Sequence, residues 1–140
     1  MNIKQKANLL AKRYNSRNPF EIIKNLNVIL VYYPLKDVRG FYQFFQRNNI
    51  IYIDENLTES EQIVVCAHEL GHMLLHKNSN ALFMDTRTHF VTTKYENEAN
   101  TFAAELLIPD SIILDNPGMT KSQIARLSGY NEKIMEFKKI

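Results

Sequence analysis

Apolar residues recur at Ile3, Ala7, Leu10, Ala11 and Tyr14, and that spacing predicts an amphipathic helix over residues 3–15. Asn18-Pro19 opens a second short helix, with proline in the first turn and Ile22, Ile23 and Leu26 along one side. The pattern then changes to short β-branched and aromatic runs: 28–33, 40–45 and 50–53. Turn-forming stretches separate them, so they read as three strands of a small sheet, the last two joined in a hairpin around Asn48-Asn49. Thr58 and Glu61 form a capping box that starts a long helix over about 58–76. Residues 77–93 are polar and irregular and read as a mobile loop. A further helix over about 94–107 closes at Pro109, and Thr120 to Lys139 reads as a hairpin of two short helices around Gly129. This predicts an α+β domain, with helices packed on a three-stranded sheet.

The long helix carries the chemistry. Its apolar run is interrupted by His68-Glu69-Leu70-Gly71-His72, and burying unpaired polar groups costs several kcal/mol. On a helical wheel His72 falls about 40° from His68, His76 about 80° and Glu69 about 100°, with Ala67, Leu70 and Leu74 on the other side. Two imidazoles one turn apart suit a single zinc ion, with Glu69 beside them as base for a bound water. The bland alternative, a chance pair on a polar helix face, sits poorly with the apolar surroundings.

A catalytic zinc requires a third protein ligand. A histidine six residues past His72, with an intervening glycine, is excluded because those positions hold Asn78 and Leu75. The segment Tyr95 to Asn100 offers Glu96 and Glu98, which flank the apolar face of their helix on opposite edges. Periodicity does not choose between them. His76, His89 and Tyr95 are candidates for stabilising an oxyanion, each with a structural role as the plainer reading.

The motif together with Glu96-x-Glu98-Ala99-Asn100-x-Phe102-Ala103-Ala104-Glu105-Leu106-Leu107-Ile108-Pro109 resembles the ImmA/IrrE family of zinc metallopeptidases, closely over residues 60–110 and more loosely before them. The resemblance implies a minimal zincin-like domain and makes Glu98, directly before the alanine, the third ligand beside His68 and His72, with Glu96 supporting the ligands. It also implies a substrate: a helix-turn-helix repressor, cut to derepress genes of a phage, mobile element or stress response. Since this chain starts almost directly with the peptidase, that repressor is expected to be separately encoded.

Composition narrows the picture further. At 140 residues one domain spanning 1–140 is expected. Seventeen basic against fifteen acidic residues leave a net charge of +2, too balanced to make nucleic acid the main partner. A lone Cys66 excludes an internal disulfide framework and fits a reducing cytoplasm; about 160° from His68 on the wheel, it reads as a buried, inert thiol. The start of the chain lacks the apolar stretch of a secretory signal, and no segment approaches the length of a membrane span. Gly71 points to tight packing or close substrate approach. The strand aromatics Tyr32, Tyr33, Phe41, Phe44 and Phe45 read mostly as core.

Two other functions compete. One is a non-catalytic protein that keeps the zinc fold and binds a repressor, for which Glu69 would be superfluous. The other is a DNA-binding regulator using 120–139 as a helix-turn-helix, against which stand Glu132 and Glu136 and the core-like Ile134, Met135 and Phe137.

Overall fold

The computed structural model describes residues 1–76 and 89–139, with only the backbone described over 89–92. Helices α1 (Ile3–Tyr14) and α2 (Pro19–Asn25) lead into strands β1 (Ile29–Tyr33), β2 (Gly40–Phe45) and β3 (Asn48–Asp54). Then come α3 (Glu59–Leu75), α4 (His89–Leu107), α5 (Asp110–Leu114), α6 (Lys121–Ser128) and a 3-10 turn at Glu132–Glu136. The architecture is α+β, as the periodicity predicts.

The strand order is β1-β3-β2, with β1 parallel and β2 antiparallel to the central β3. Phe45 faces Asn48 across the hairpin, so its turn is Gln46-Arg47, two residues earlier than expected. Both residues have positive φ, 48° and 65°, the backbone of the tight turn that matches strand twist. The sequence signal pointed elsewhere because asparagine, which favours that backbone, stands just after the turn. Asn49 instead accepts a hydrogen bond from the Tyr42 hydroxyl at 2.6 Å.

One face of the sheet, with Tyr42, Ile51 and Ile53, is buried and contributes to the core that also holds Val65, Cys66 and Leu70 of α3. The opposite face is open. Tyr32, Tyr33, Phe44 and Phe45 are exposed, contrary to their expected core role, and Phe41 is half-buried in a stack on Tyr52 at 4.2 Å. Tyr33, Phe41 and Phe45 alternate with the core-facing set and lie on the uncovered face, whereas Tyr32 and Phe44 share the face of Ile53 and Tyr42 but stand exposed where the helices do not cover it.

Helix α3 is held on several sides, by β2, β3, α2 and α4. The Thr58–Glu61 capping box starts it as expected. Its outer flank emerges at Leu74, which is exposed although the wheel set it with Ala67 and Leu70. Helix α4 begins at His89, five residues before the expected start, so residues 89–93 of the loop expected over 77–93 are helical, and its residues 77–88 lie outside the described residues. Helix α5, with Pro109 at its N-cap, was not legible in the periodicity because it spans barely more than one turn.

The C-terminal hairpin is a packing element. Gly129 caps α6 in the left-handed conformation, φ 87°, and its carbonyl accepts from Ser60 Oγ at 2.8 Å. Ile124, Ala125, Ile134 and Met135 are buried. Beyond them Lys138 Nζ reaches Glu105 Oε1 and Asp110 Oδ1, both at 2.6 Å. The second arm is a five-residue 3-10 turn, too short for a recognition helix laid in a groove.

Candidate metal centre

Helices α3 and α4 cross at Gly71. A Cβ added there would stand 3.1 Å from Phe102 Cβ and 3.3 Å from Ala99 Cα, so the close approach favours glycine. That settles the role of Gly71 as packing between the two helices that carry the polar cluster. At the other flank Gly40 opens β2 against α3. A Cβ there would meet Val65 Cγ1 at 2.6 Å and the Tyr52 carbonyl oxygen at 2.7 Å, with Glu69 Cγ at 3.7 Å.

At the crossing, Nε2 of His68 and Nε2 of His72 both address the Glu96 carboxylate, at 2.9 Å and 2.8 Å. Ligand atoms of His68, His72 and Glu96 lie within 4.8 Å of one another. The remaining ring nitrogens are engaged as well: His68 Nδ1 with Asn100 Oδ1 at 2.7 Å, and His72 Nδ1 with His76 Nδ1 at 3.0 Å. Glu96 and Asn100 are i and i+4 on α4, so one helix face grips both nitrogens of His68.

Glu98 does not join this group. It lies two residues along α4, about 200° around the axis from Glu96, and its Oε1 meets His76 Nε2 at 3.1 Å. The carboxylate brought up to His68 and His72 is thus that of Glu96, whereas Glu98, which the resemblance makes the third ligand, stands against His76. Of the oxyanion candidates, His76 is buried and stacks on Tyr95 at 4.3 Å, while the His89 side chain lies outside those described. Asn100 stands in the second motif with no role visible from sequence; its i, i+4 spacing from Glu96 was the signal that could have found it.

Electrostatics suit a cation. Burial pushes the Glu96 carboxyl up, but hydrogen bonds from His68 and His72, and their charges, outweigh it and hold Glu96 well below the usual carboxylate range. Burial pulls the His68 imidazole down; the Glu96 hydrogen bond and the charges of Glu69 and Glu96 more than reverse this, so its pKa is raised. Glu69 is 6% exposed, and burial raises its pKa against the opposing pull of His68 and His72. A general base benefits from such a shift, because its proton affinity approaches that of the group it serves. Burial also raises the Cys66 thiol, as expected of an inert core cysteine.

The donor set fits a divalent metal. Two imidazole nitrogens and a carboxylate oxygen are zinc's usual catalytic ligands, and such atoms stand about 3.3 Å apart around a tetrahedral ion. Here the two histidines approach different oxygens of the Glu96 carboxylate, at 2.9 and 2.8 Å, and the three ligand atoms lie within 4.8 Å of one another. Next to the cluster, a groove of about 420 Å³ is lined by Arg39, Val64, Asn100, Ala103, Ile134 and Phe137, among others.

The family described as the IrrE N-terminal-like domain, a peptidase family, matches residues 23–137. The chain belongs to that family. Among its relatives, the "Uncharacterized immunity region protein 2" of Bacillus phage phi105 is 40% identical over 139 residues, spanning 97% of this chain and 88% of the relative. The "Metallopeptidase ImmA" of Bacillus subtilis (strain 168) is 29% identical over 142 residues, spanning 97% and 83%. The IrrE-like assignment thus agrees with the resemblance carried by the two motifs, and it makes the chain a member of a metallopeptidase lineage with a candidate His/Glu metal site. Among the described residues no helix is long and apolar enough to cross a membrane.

Proposed function

We propose that this protein is a zinc-dependent endopeptidase that holds its metal through His68, His72 and Glu96 and uses Glu69 as general base. The observation that carries this reading is the convergence of His68 Nε2 and His72 Nε2 on one Glu96 carboxylate, beside a buried Glu69. A zinc ion bound there supplies Lewis acidity, acidifying water and polarising the scissile carbonyl. Glu69 takes the proton from the attacking water and returns it to the leaving amine. Asn100 keeps the His68 proton on Nδ1 and so leaves Nε2 free as a ligand.

The substrate we infer is a separately encoded helix-turn-helix repressor in the cytoplasm. Support comes from the relative that is an immunity region protein of a phage, and from the balanced charge, which argues against direct DNA work by the peptidase itself. The test is co-expression with a candidate helix-turn-helix repressor, following repressor fragments on a gel. Glu69→Gln should keep fold and zinc yet lose about two to four powers of ten in cleavage rate. Equal cleavage by both proteins sinks the mechanism; intact binding without cleavage by either favours the non-catalytic regulator.

A further inference from the structure

We infer that His76 and Glu98 form a relay that sets the tautomer and orientation of His72, making them positioning residues for the metal. The inference rests on the proposed role of His72 as a ligand.

Three contacts run in line: His72 Nδ1 to His76 Nδ1 at 3.0 Å, His76 Nε2 to Glu98 Oε1 at 3.1 Å, and His72 Nε2 to Glu96 Oε1 at 2.8 Å. A neutral imidazole has one donor and one acceptor nitrogen, and an ionised carboxylate only accepts. These rules give the chain a single direction. For His72 Nε2 to offer a lone pair to a metal, the His72 proton sits on Nδ1 and is donated to His76 Nδ1. His76 then carries its own proton on Nε2 and donates it to Glu98. The carboxylate at the far end thus selects the tautomers of both rings.

His76 is built to hold this orientation. It is 6% exposed, its ring stacks on Tyr95, and its backbone N–H caps α3 by donating to the His72 carbonyl at 2.8 Å. The two ligand histidines are therefore supported differently. His68 rests on the neutral amide of Asn100, and His72 on a second histidine ending in a carboxylate. This gives Glu98 a role that the motif alone did not reveal. The competing account is that His76 merely fills space beside Tyr95.

The experiment is zinc affinity by chelator competition, with thermal unfolding of the metal-free form, on the full chain. His76→Ala should weaken zinc about 10- to 100-fold, the usual cost of losing such a supporting partner. Glu98→Ala should weaken it by a smaller factor, and should have no further effect in the His76→Ala background, because the two residues act in series. His76→Asn should recover most of the affinity, since an amide oxygen can accept from His72 Nδ1 as Asn100 does from His68. Zinc affinity within about twofold of wild type in His76→Ala, or independent additive losses, overturns the relay. If His76→Ala fails to fold, Glu98→Ala and His76→Asn decide. Wild type that binds zinc while Glu98→Ala matches it, or while His76→Asn binds at least about tenfold more weakly, refutes the relay alone; wild type that binds no zinc refutes the metal site as well.

Discussion

Replacing Gly71 with alanine sets two effects of comparable size against each other. Inside a helix the change alone favours folding by about 1 kcal/mol. The added Cβ, however, would stand 3.1 Å from Phe102 Cβ, 3.2 Å from Phe102 Cδ1 and 3.3 Å from Ala99 Cα. Phe102 Cβ and Ala99 Cα are fixed by the backbone of α4, so no rotamer change relieves them. The helices have to separate by a few tenths of an ångström. Overpacking of this kind costs about 1–3 kcal/mol, so a net destabilisation of about 1 kcal/mol is expected, a fall of roughly 3 °C in Tm for a chain this size. The larger effect should be on metal, because separating α3 from α4 draws Glu96 away from His68 and His72. Thermal unfolding of the metal-free variant should be paired with a zinc titration. The expected result is a small fall in Tm and at least about a tenfold loss of zinc affinity. A variant that unfolds at higher temperature and binds zinc like wild type would refute this reasoning, and helix propensity alone would then govern the position.

Two further predictions concern the C-terminal anchor. Lys138 and Glu105 have side chains only 1% exposed, so Lys138→Met should cost about 3 kcal/mol by leaving a buried carboxylate with only the more distant Lys4, at 3.9 Å, as counter-ion, and adding Glu105→Leu should recover much of it; denaturant unfolding of both variants checks this. Hydrogen bonds from Lys138 and Lys4 hold the Asp110 carboxyl below its ordinary range. A carboxyl depressed in the folded state contributes stability above its unfolded pKa and loses it as pH falls through the folded value. Asp110→Asn should therefore flatten the acid limb of the stability curve below about pH 4, and an unchanged limb would show that the ion pair is too solvated to matter.

The elements most legible in the sequence were those whose burial follows a single period. Helix α1, the capped start of α3 and the three strands have apolar positions and caps that agree locally, and they fold where the pattern puts them. Legibility failed where a decision depended on a second element. A helical wheel set Glu96 and Glu98 on two edges of α4 but carried no information about which edge meets which histidine; in the structure Glu96 meets His68 and His72, and Glu98 meets His76. The exposed Tyr32, Tyr33, Phe44 and Phe45 illustrate the same limit, since strand aromatics look alike whether or not a second layer covers them. Gly71 was readable as a point of close approach, but only the packing of Phe102 and Ala99 says what approaches.

The central claim is that His68, His72 and Glu96 hold one zinc ion. Its most direct test is the zinc content of purified wild type, Glu96→Ala and Glu98→Ala after dialysis at fixed free zinc well above the wild-type dissociation constant. The account predicts one zinc per chain in wild type, almost none in Glu96→Ala, and one in Glu98→Ala with a weaker dissociation constant. Full zinc in Glu96→Ala together with its loss in Glu98→Ala would contradict it and return the third ligand to Glu98.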